Sequence, residues 1–291
     1  MKKILALLLA MTMVFGMAAC GSSDTQEPAA ENNASNAENA GTDTAEETTG
    51  TETAGDEATD AESAGTLTTV TDGVLTMSTN AVFPPYEMTD DNGNVIGIDA
   101  DIAAAIAEKL GLELEILDMD FDAALLAVQQ GKSDMVMAGV TVNEDRLAVM
   151  DFSETYANGV QVIITQEGSD VTIDNLGEKM IGTQRGTTGN IYCTDDYGEE
   201  HVIAYDNGIT AVQALVNGQI DCVVIDKAPA ESFVTANPGL TILDTEYVTE
   251  DYAIGFAKGN TALVDAVNGA LNELIEDGTV QSIVDTYITA E

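Results

Sequence analysis

The chain has 291 residues, with 51 Asp and Glu against 9 Lys and Arg and a formal net charge of -42 at pH 7. Charge of that sign repels nucleic acid and anionic lipid headgroups, so neither is an expected partner, and it favours the approach of zwitterions and cations over acids. His201 is the single histidine and the cysteines number three, which argues against a Cys-His nucleophile or a His-rich metal site. No catalytic residue, metal or cofactor is expected.

Lys2 and Lys3 precede the apolar run ILALLLAMTMVFGM, which is short for a membrane span and leads into small residues, so residues 1–19 read as a signal peptide. The run ends in Met17-Ala18-Ala19-Cys20-Gly21, which resembles a bacterial lipobox and implies that Cys20 becomes a lipid-bearing amino terminus. Residues 21–66 hold no Val, Ile, Leu, Met, Phe, Tyr or Trp and no Lys or Arg. Nothing there offsets the entropy of ordering, so residues 20–66 are expected to form a lipidated cysteine and a disordered acidic tether. Roughly 270 residues follow the signal, enough to enclose a small ligand.

From Leu67 onward, strand and helix patterns alternate. Val74-Leu75-Thr76-Met77 reads as a strand, and the loop from Asn80 to Glu87 carries two prolines that stiffen it and present Phe83 and Tyr86, either as a ligand wall or as core. Asp101 to Leu110 is an amphipathic helix closed by Gly111, and residues 112–117 alternate like a half-buried strand. Phe121 to Gln130 is the next helix, and Asp134 to Ala138 the next strand. Gly139 then allows close backbone approach, Thr141 offers a hydroxyl, and Arg146 offers a guanidinium able to grip a carboxylate. A salt bridge from Arg146 to Glu144 or Asp151 is the alternative.

The same grammar recurs further on. Strands at 179–183, 201–205 and 221–225 enclose a helix after Gly186 and another at 209–217. Gln184 to Gly189 is a Gly/Thr turn opening a helix, where exposed amides suit an anion. Arg185 faces either the cleft or solvent. Asp226 follows its strand and is placed to receive an ammonium, whereas Asp221 at the strand's start reads as structural. LLAVQQGKSDMVMAG (125–139) and VQALVNGQIDCVVID (212–226) share helix, glycine, aspartate and strand in the same order, which suggests two α/β lobes of related design. A strand at 252–257 and helices at 261–277 and 280–288 complete the chain. Residues 67–164 plus 252–291 are expected to form lobe 1 and 165–251 lobe 2, with hinges near 163–167 and 248–251. Cys193 and Cys222 are either a disulfide or two separately buried thiols.

TNAVFPPYE, GIDADIAAAIAEKLG, DFDAALLAVQQGKSDMVMAGVTVNEDR, MDFSETY, GTQRGTTG and GQIDCVVID, in that order, resemble the family 3 extracellular solute-binding proteins, amino-acid receptors of ABC importers. The resemblance runs from about Val74 to the C-terminus. It implies an α/β, two-lobed periplasmic-binding-protein (type II) fold with hinge strands. Arg146, helped by Thr141 and the turn at Thr188, would bind an α-carboxylate; Asp226 and the backbone of Gly139 would hold the α-ammonium. Phe83 and Phe121 would sandwich the side chain, and Asn80, Ala138 and Gln184 would set specificity. Asn80 stands where receptors for cationic amino acids commonly carry Asp, which favours a neutral polar ligand such as glutamine, with cystine and histidine still open. The implied protein is a monomer outside the cytoplasm, lipid-anchored to the membrane beside a permease and its ATPase. The rivals are a dehydratase-like enzyme using Asp226 and Glu87, and a sensory binding module.

Overall fold

The computed structural model describes residues 67–244 and 246–288; the signal peptide, Cys20 and the 21–66 tether lie outside the described residues. In chain order the first elements are β1 (Val74–Thr79), β2 (Val82–Phe83), β3 (Glu87–Thr89), β4 (Val95–Ile96), α1 (Ile98–Leu110), β5 (Glu113–Asp118), α2 (Phe121–Gln129), β6 (Met135–Val136), α3 (Glu144–Val149) and β7 (Met150–Gln166). After a 3-10 turn at Ile173–Glu178 come β8 (Ile181–Gln184), α4 (Thr188–Tyr197), β9 (Val202–Tyr205), α5 (Gly208–Val216), β10 (Cys222–Asp226), α6 (Lys227–Ala236), β11 (Leu240–Ile242), β12 (Val248–Ala257), α7 (Thr261–Glu276) and α8 (Thr279–Tyr287).

One sheet runs in the order β5-β1-β6-β12-β7-β10-β8-β9, with β11 on β7. In its first half β5, β1 and β6 are parallel and β12 returns antiparallel beside β6. The second half repeats that design, with β9, β8 and β10 parallel and β7 antiparallel beside β10. Each parallel step needs a crossover, and α1, α2, α4 and α5 supply them. The internal echo therefore marks equivalent places: α2-β6 in one half and α5-β10 in the other. Its two aspartates serve the strands, since Asp134 accepts from Val70 and Thr76 N–H and Asp221 accepts from Met180 N–H.

α1 begins at Ile98, three residues before the expected start, because Ile98, Ile102 and Ile106 form one buried stripe; Gly111 ends it in the left-handed conformation. That stripe packs with Leu75 and Met77 of β1 and with Leu263, Val267 and Leu271 of α7. Cys193 and Cys222 are free thiols, both buried in one cluster with Ile163, Leu176 and Ile181, and desolvation pushes each up to about 12. They are inert as nucleophiles at neutral pH.

Several features depart from the sequence reading. β7 is a single strand of 17 residues whose last third, from Gln161, already bonds to β10 and β11, so the chain changes halves earlier than the expected crossing at 163–167. The small sheet β2-β3-β4 and helix α6 were not expected. Pro229 argues against a helix at 227–236, yet it sits in the first turn of α6, where a missing N–H costs nothing.

Candidate functional site

The C-terminal ends of the parallel strands of both halves meet at a cleft lined by residues of both. All ten residues singled out from the sequence line it. Asn80 follows β1, Phe83 ends β2, Phe121 opens α2, and Ala138, Gly139, Thr141 and Arg146 follow β6. From the other half come Gln184 at the end of β8, Thr188 at the start of α4 and Asp226 at the end of β10. Glu87, Gln161, Thr187 and Ile225 also face it.

Arg146 stands on the short helix α3 rather than in a loop, because Asn143 caps that helix by accepting the Arg146 N–H at 2.8 Å. Its side chain is buried, 8% exposed. Nη1 donates to the Thr141 carbonyl at 2.8 Å, and Nη2 reaches across to the Gly186 carbonyl at 3.3 Å. The guanidinium carbon lies 5.4 Å from the Phe121 ring centre. Among the described residues no carboxylate forms a salt bridge with it: Asp151 pairs with Lys258 at 2.8 Å, and Glu144 is exposed. Desolvation pulls the Arg146 pKa down, opposed by the charge of Glu250. Two of its five donors are satisfied by carbonyls, so the others are available to an anion.

Across the cavity, Thr188 opens α4, with Thr187 as its N-cap, and its hydroxyl lies 3.4 Å from that of Thr141. The helix amides there add to the attraction for an anion. The opposite charge is met by Asp226, 6% exposed, whose Oδ2 accepts from Gln161 Nε2 at 2.7 Å while Oδ1 lies toward the Tyr252 hydroxyl. The same Gln161 nitrogen donates to Glu250 Oε2 at 2.9 Å, so one amide bridges two carboxylates. Burial, reinforced by Glu250, pushes Asp226 up to about 7, against the pull of Tyr252 and Gln161.

The remaining wall is aromatic and amide. Asn80 Nδ2 donates to the Met119 carbonyl and its Oδ1 accepts from Gln184 Nε2, both at 2.9 Å, leaving Gln184 Oε1 buried without a partner. Gly139 has φ +55, and a Cβ there would lie 2.9 Å from Phe83 Cε1. Only glycine fits that turn against the ring without displacement. Tyr86 belongs to the core, stacked on Phe83 and edge-on to Tyr252. Arg185 is exposed and pairs with Asp206 at 3.1 Å, away from the cavity.

A profile of bacterial extracellular solute-binding proteins, family 3, matches residues 75–290. The chain belongs to that family. The probable histidine-binding protein of Neisseria gonorrhoeae is 32% identical to this family 3 chain over 225 residues, covering 75% of it and 84% of the relative. ABC transporter arginine-binding protein 1 of Escherichia coli K12 is 30% identical over 219 residues, 73% of this chain and 90% of that one. Among solved structures, an ancestral arginine-binding protein bound to glutamine is 37% identical with a TM-score of 0.71, covering 75% of this chain and 99% of the other. The fold is thus that of the two-lobed amino-acid-binding proteins. The family is one of extracellular solute-binding proteins, and these relatives are named for binding the polar amino acids histidine and arginine, the latter as part of an ABC transporter.

Proposed function

We propose that the chain captures one polar L-amino acid with a nitrogen-bearing side chain between its lobes and delivers it to the permease and ATPase of an ABC importer. The observation that carries this reading is the pairing within one cavity of a buried guanidinium and a buried Asp226, neither of which forms a salt bridge among the described residues. The two match the carboxylate and ammonium of an amino-acid zwitterion. Arg146 and Thr141 hold the carboxylate from one lobe, and Thr188 with the α4 amides from the other. Asp226 and the Gly139 carbonyl take the ammonium. A ligand that touches both lobes binds the closed arrangement better than the open one and shifts the hinge equilibrium of β7 and β12 toward it.

The side chain lies between Phe83 and Phe121 and ends at Asn80, Ala138 and Gln184. Asn80 is hydrogen-bonded once at each polar atom, whereas Gln184 Oε1 has no partner among the described residues, so that acceptor is the first group to read the side chain. An acceptor there selects an N–H donor and disfavours aspartate or glutamate. Glutamine satisfies it, as does a guanidinium, and the latter also gains from stacking on the aromatic walls and from the chain's negative field. Arginine is therefore the first candidate and glutamine the second. The protein works as a monomer, with Cys20 lipidated after removal of residues 1–19 and the acidic 21–66 segment as the tether. Radiolabelled fatty acid should enter the wild type and not a Cys20→Ser variant.

A thermal-shift screen against the twenty amino acids, cystine and ornithine tests the reading. A ligand at 100 times its Kd stabilises by about 2.7 kcal/mol, so a true ligand separates from the rest. Arginine, glutamine or histidine should raise the midpoint and glutamate should not; a flat response to every compound would overturn the assignment.

A further inference from the structure

Behind the Gly139 turn lie two acidic side chains in contact with each other. Glu87 on β3 and Asp99 on α1 are each fully buried. Asp99 Oδ2 accepts the Gly139 N–H at 3.0 Å, while Asp99 Oδ1 and both Glu87 oxygens have no donor facing them except across their mutual contact and the Tyr156 hydroxyl. Two ionised carboxylates are acceptors only, so the Glu87–Asp99 contact becomes a hydrogen bond when one of them carries a proton. The groups that face the pair are Tyr156 on β7, Tyr86 after β2, Asp226 on β10 and Asp118 on β5. None is a cation, and among the described residues no Lys or Arg forms a salt bridge with either acid.

We propose that Glu87 and Asp99 share one proton and act as a positioning pair, holding the Gly139 turn in the conformation that presents its carbonyl to the ligand's ammonium. The inference rests on the amino-acid reading of the cavity. With the proton on Glu87, its O–H donates to Asp99 and the second Asp99 oxygen stays with the Gly139 N–H. That bond fixes the plane of the peptide between Ala138 and Gly139, and the left-handed φ of +55 at Gly139 then sets the direction of the next peptide, which carries the Gly139 carbonyl. Desolvation pushes Asp99 up to about 6 and, with the adjacent Asp99 charge, pushes Glu87 well above the carboxylate range. Both acids are fully buried and, among the described residues, neither has a Lys or Arg partner, so the pair keeps one proton, which we assign to Glu87 because Asp99 already accepts the Gly139 N–H. Losing it would place two like charges in contact in a dry site.

Variants and infrared spectroscopy test this on the full chain. Asp99→Ala leaves the Gly139 N–H without an acceptor and should lower affinity about tenfold or more. Asp99→Asn keeps an acceptor for Gly139 and a donor for Glu87 and should recover most of the affinity that Asp99→Ala loses, while Glu87→Gln is read by its infrared spectrum. At about pH 8.5, above the Asp226 titration, the wild type should still show the infrared band of one protonated carboxyl, absent from Glu87→Gln. A missing band, or one unchanged in Glu87→Gln, would overturn the shared proton. Equal losses in Asp99→Asn and Asp99→Ala, or an undiminished Asp99→Ala, would overturn the positioning role. If the wild type bound no amino acid, the functional reading would fail instead, and the infrared result would still decide whether the proton is shared.

Discussion

Lowering the pH from 8 to 5 should weaken ligand binding through Asp226. Its carboxyl titrates at about 7 in the ligand-free cleft, because burial and Glu250 both disfavour the charge. An ammonium docked on this carboxylate favours the charged form and lowers that pKa by about 1–3 units. Below pH 7 the ligand must first displace a proton, so affinity falls up to about tenfold per pH unit until the pKa of the complex is reached. Over the range 8 to 5 the loss is about 10- to 100-fold. At pH 7 the group is half protonated, so binding should release about half a proton per ligand. Titration calorimetry in buffers of different ionisation enthalpy reads both quantities. Asp226→Asn should bind about 10- to 100-fold more weakly at pH 8, the range expected for a lost charged hydrogen bond of about 1.5–3 kcal/mol, and should lose the limb near pH 7. Wild-type affinity unchanged between pH 8 and 5, or an Asp226→Asn variant with the wild-type profile, would refute this account.

Arg146→Ala should cost about hundredfold or more in affinity by calorimetry, since removing one partner of a buried pair costs about 3–5 kcal/mol. Gly139→Ala forces a left-handed backbone on alanine and a Cβ 2.9 Å from Phe83; a strain of about 1–2 kcal/mol should lower the thermal midpoint by about 2–8 °C. Phe121→Ala should weaken binding of a cationic side chain about 3- to 30-fold through lost stacking, with a smaller change for alanine as ligand. The ligand-free protein should become more stable as pH falls from 8 to 5. Asp226 at about 7 and Asp99 at about 6 both lie above the ordinary 3.8, so the folded state takes up protons in that window that the unfolded chain does not. Asp151 and Asp170, held below the ordinary value by Lys258 and Lys179, contribute stability that is lost only at lower pH. A midpoint that fell steadily from pH 8 to 5 would contradict this sign.

Gly139, Thr141, Thr188 and Asp226 stood out from the residues themselves because they follow a strand or open a helix, where turn chemistry is local, whereas Phe121 and Ala138 entered only through the family resemblance. Arg146 and Arg185 are the only arginines, yet composition alone does not say which faces the cleft. Burial decides it: Arg146 is fixed by carbonyls from both lobes and Arg185 by Asp206 in solvent. Gln161 was missed because nothing local marks an inward polar residue in mid-strand; its role comes from the register that sets it opposite Asp226 and Val248. Asp99 was missed because an acid in the first turn of a helix looks solvated until the Tyr86 backbone and the Gly139 turn close over it. The length of β7 was hidden by its polar residues, which serve as the passage between lobes rather than as core.

The central claim is that Asp226 and Arg146 fix the two charged ends of an L-amino acid while Phe83 and Phe121 receive its side chain. Calorimetric titration of the purified chain with the amino acid that stabilises it most, and with its D-enantiomer, tests it most directly. One L-enantiomer should bind per chain, with the D-enantiomer at least about tenfold weaker because three fixed contacts cannot all be met by its mirror image. Equal binding of both enantiomers, or no saturable heat with any L-amino acid, would contradict the claim.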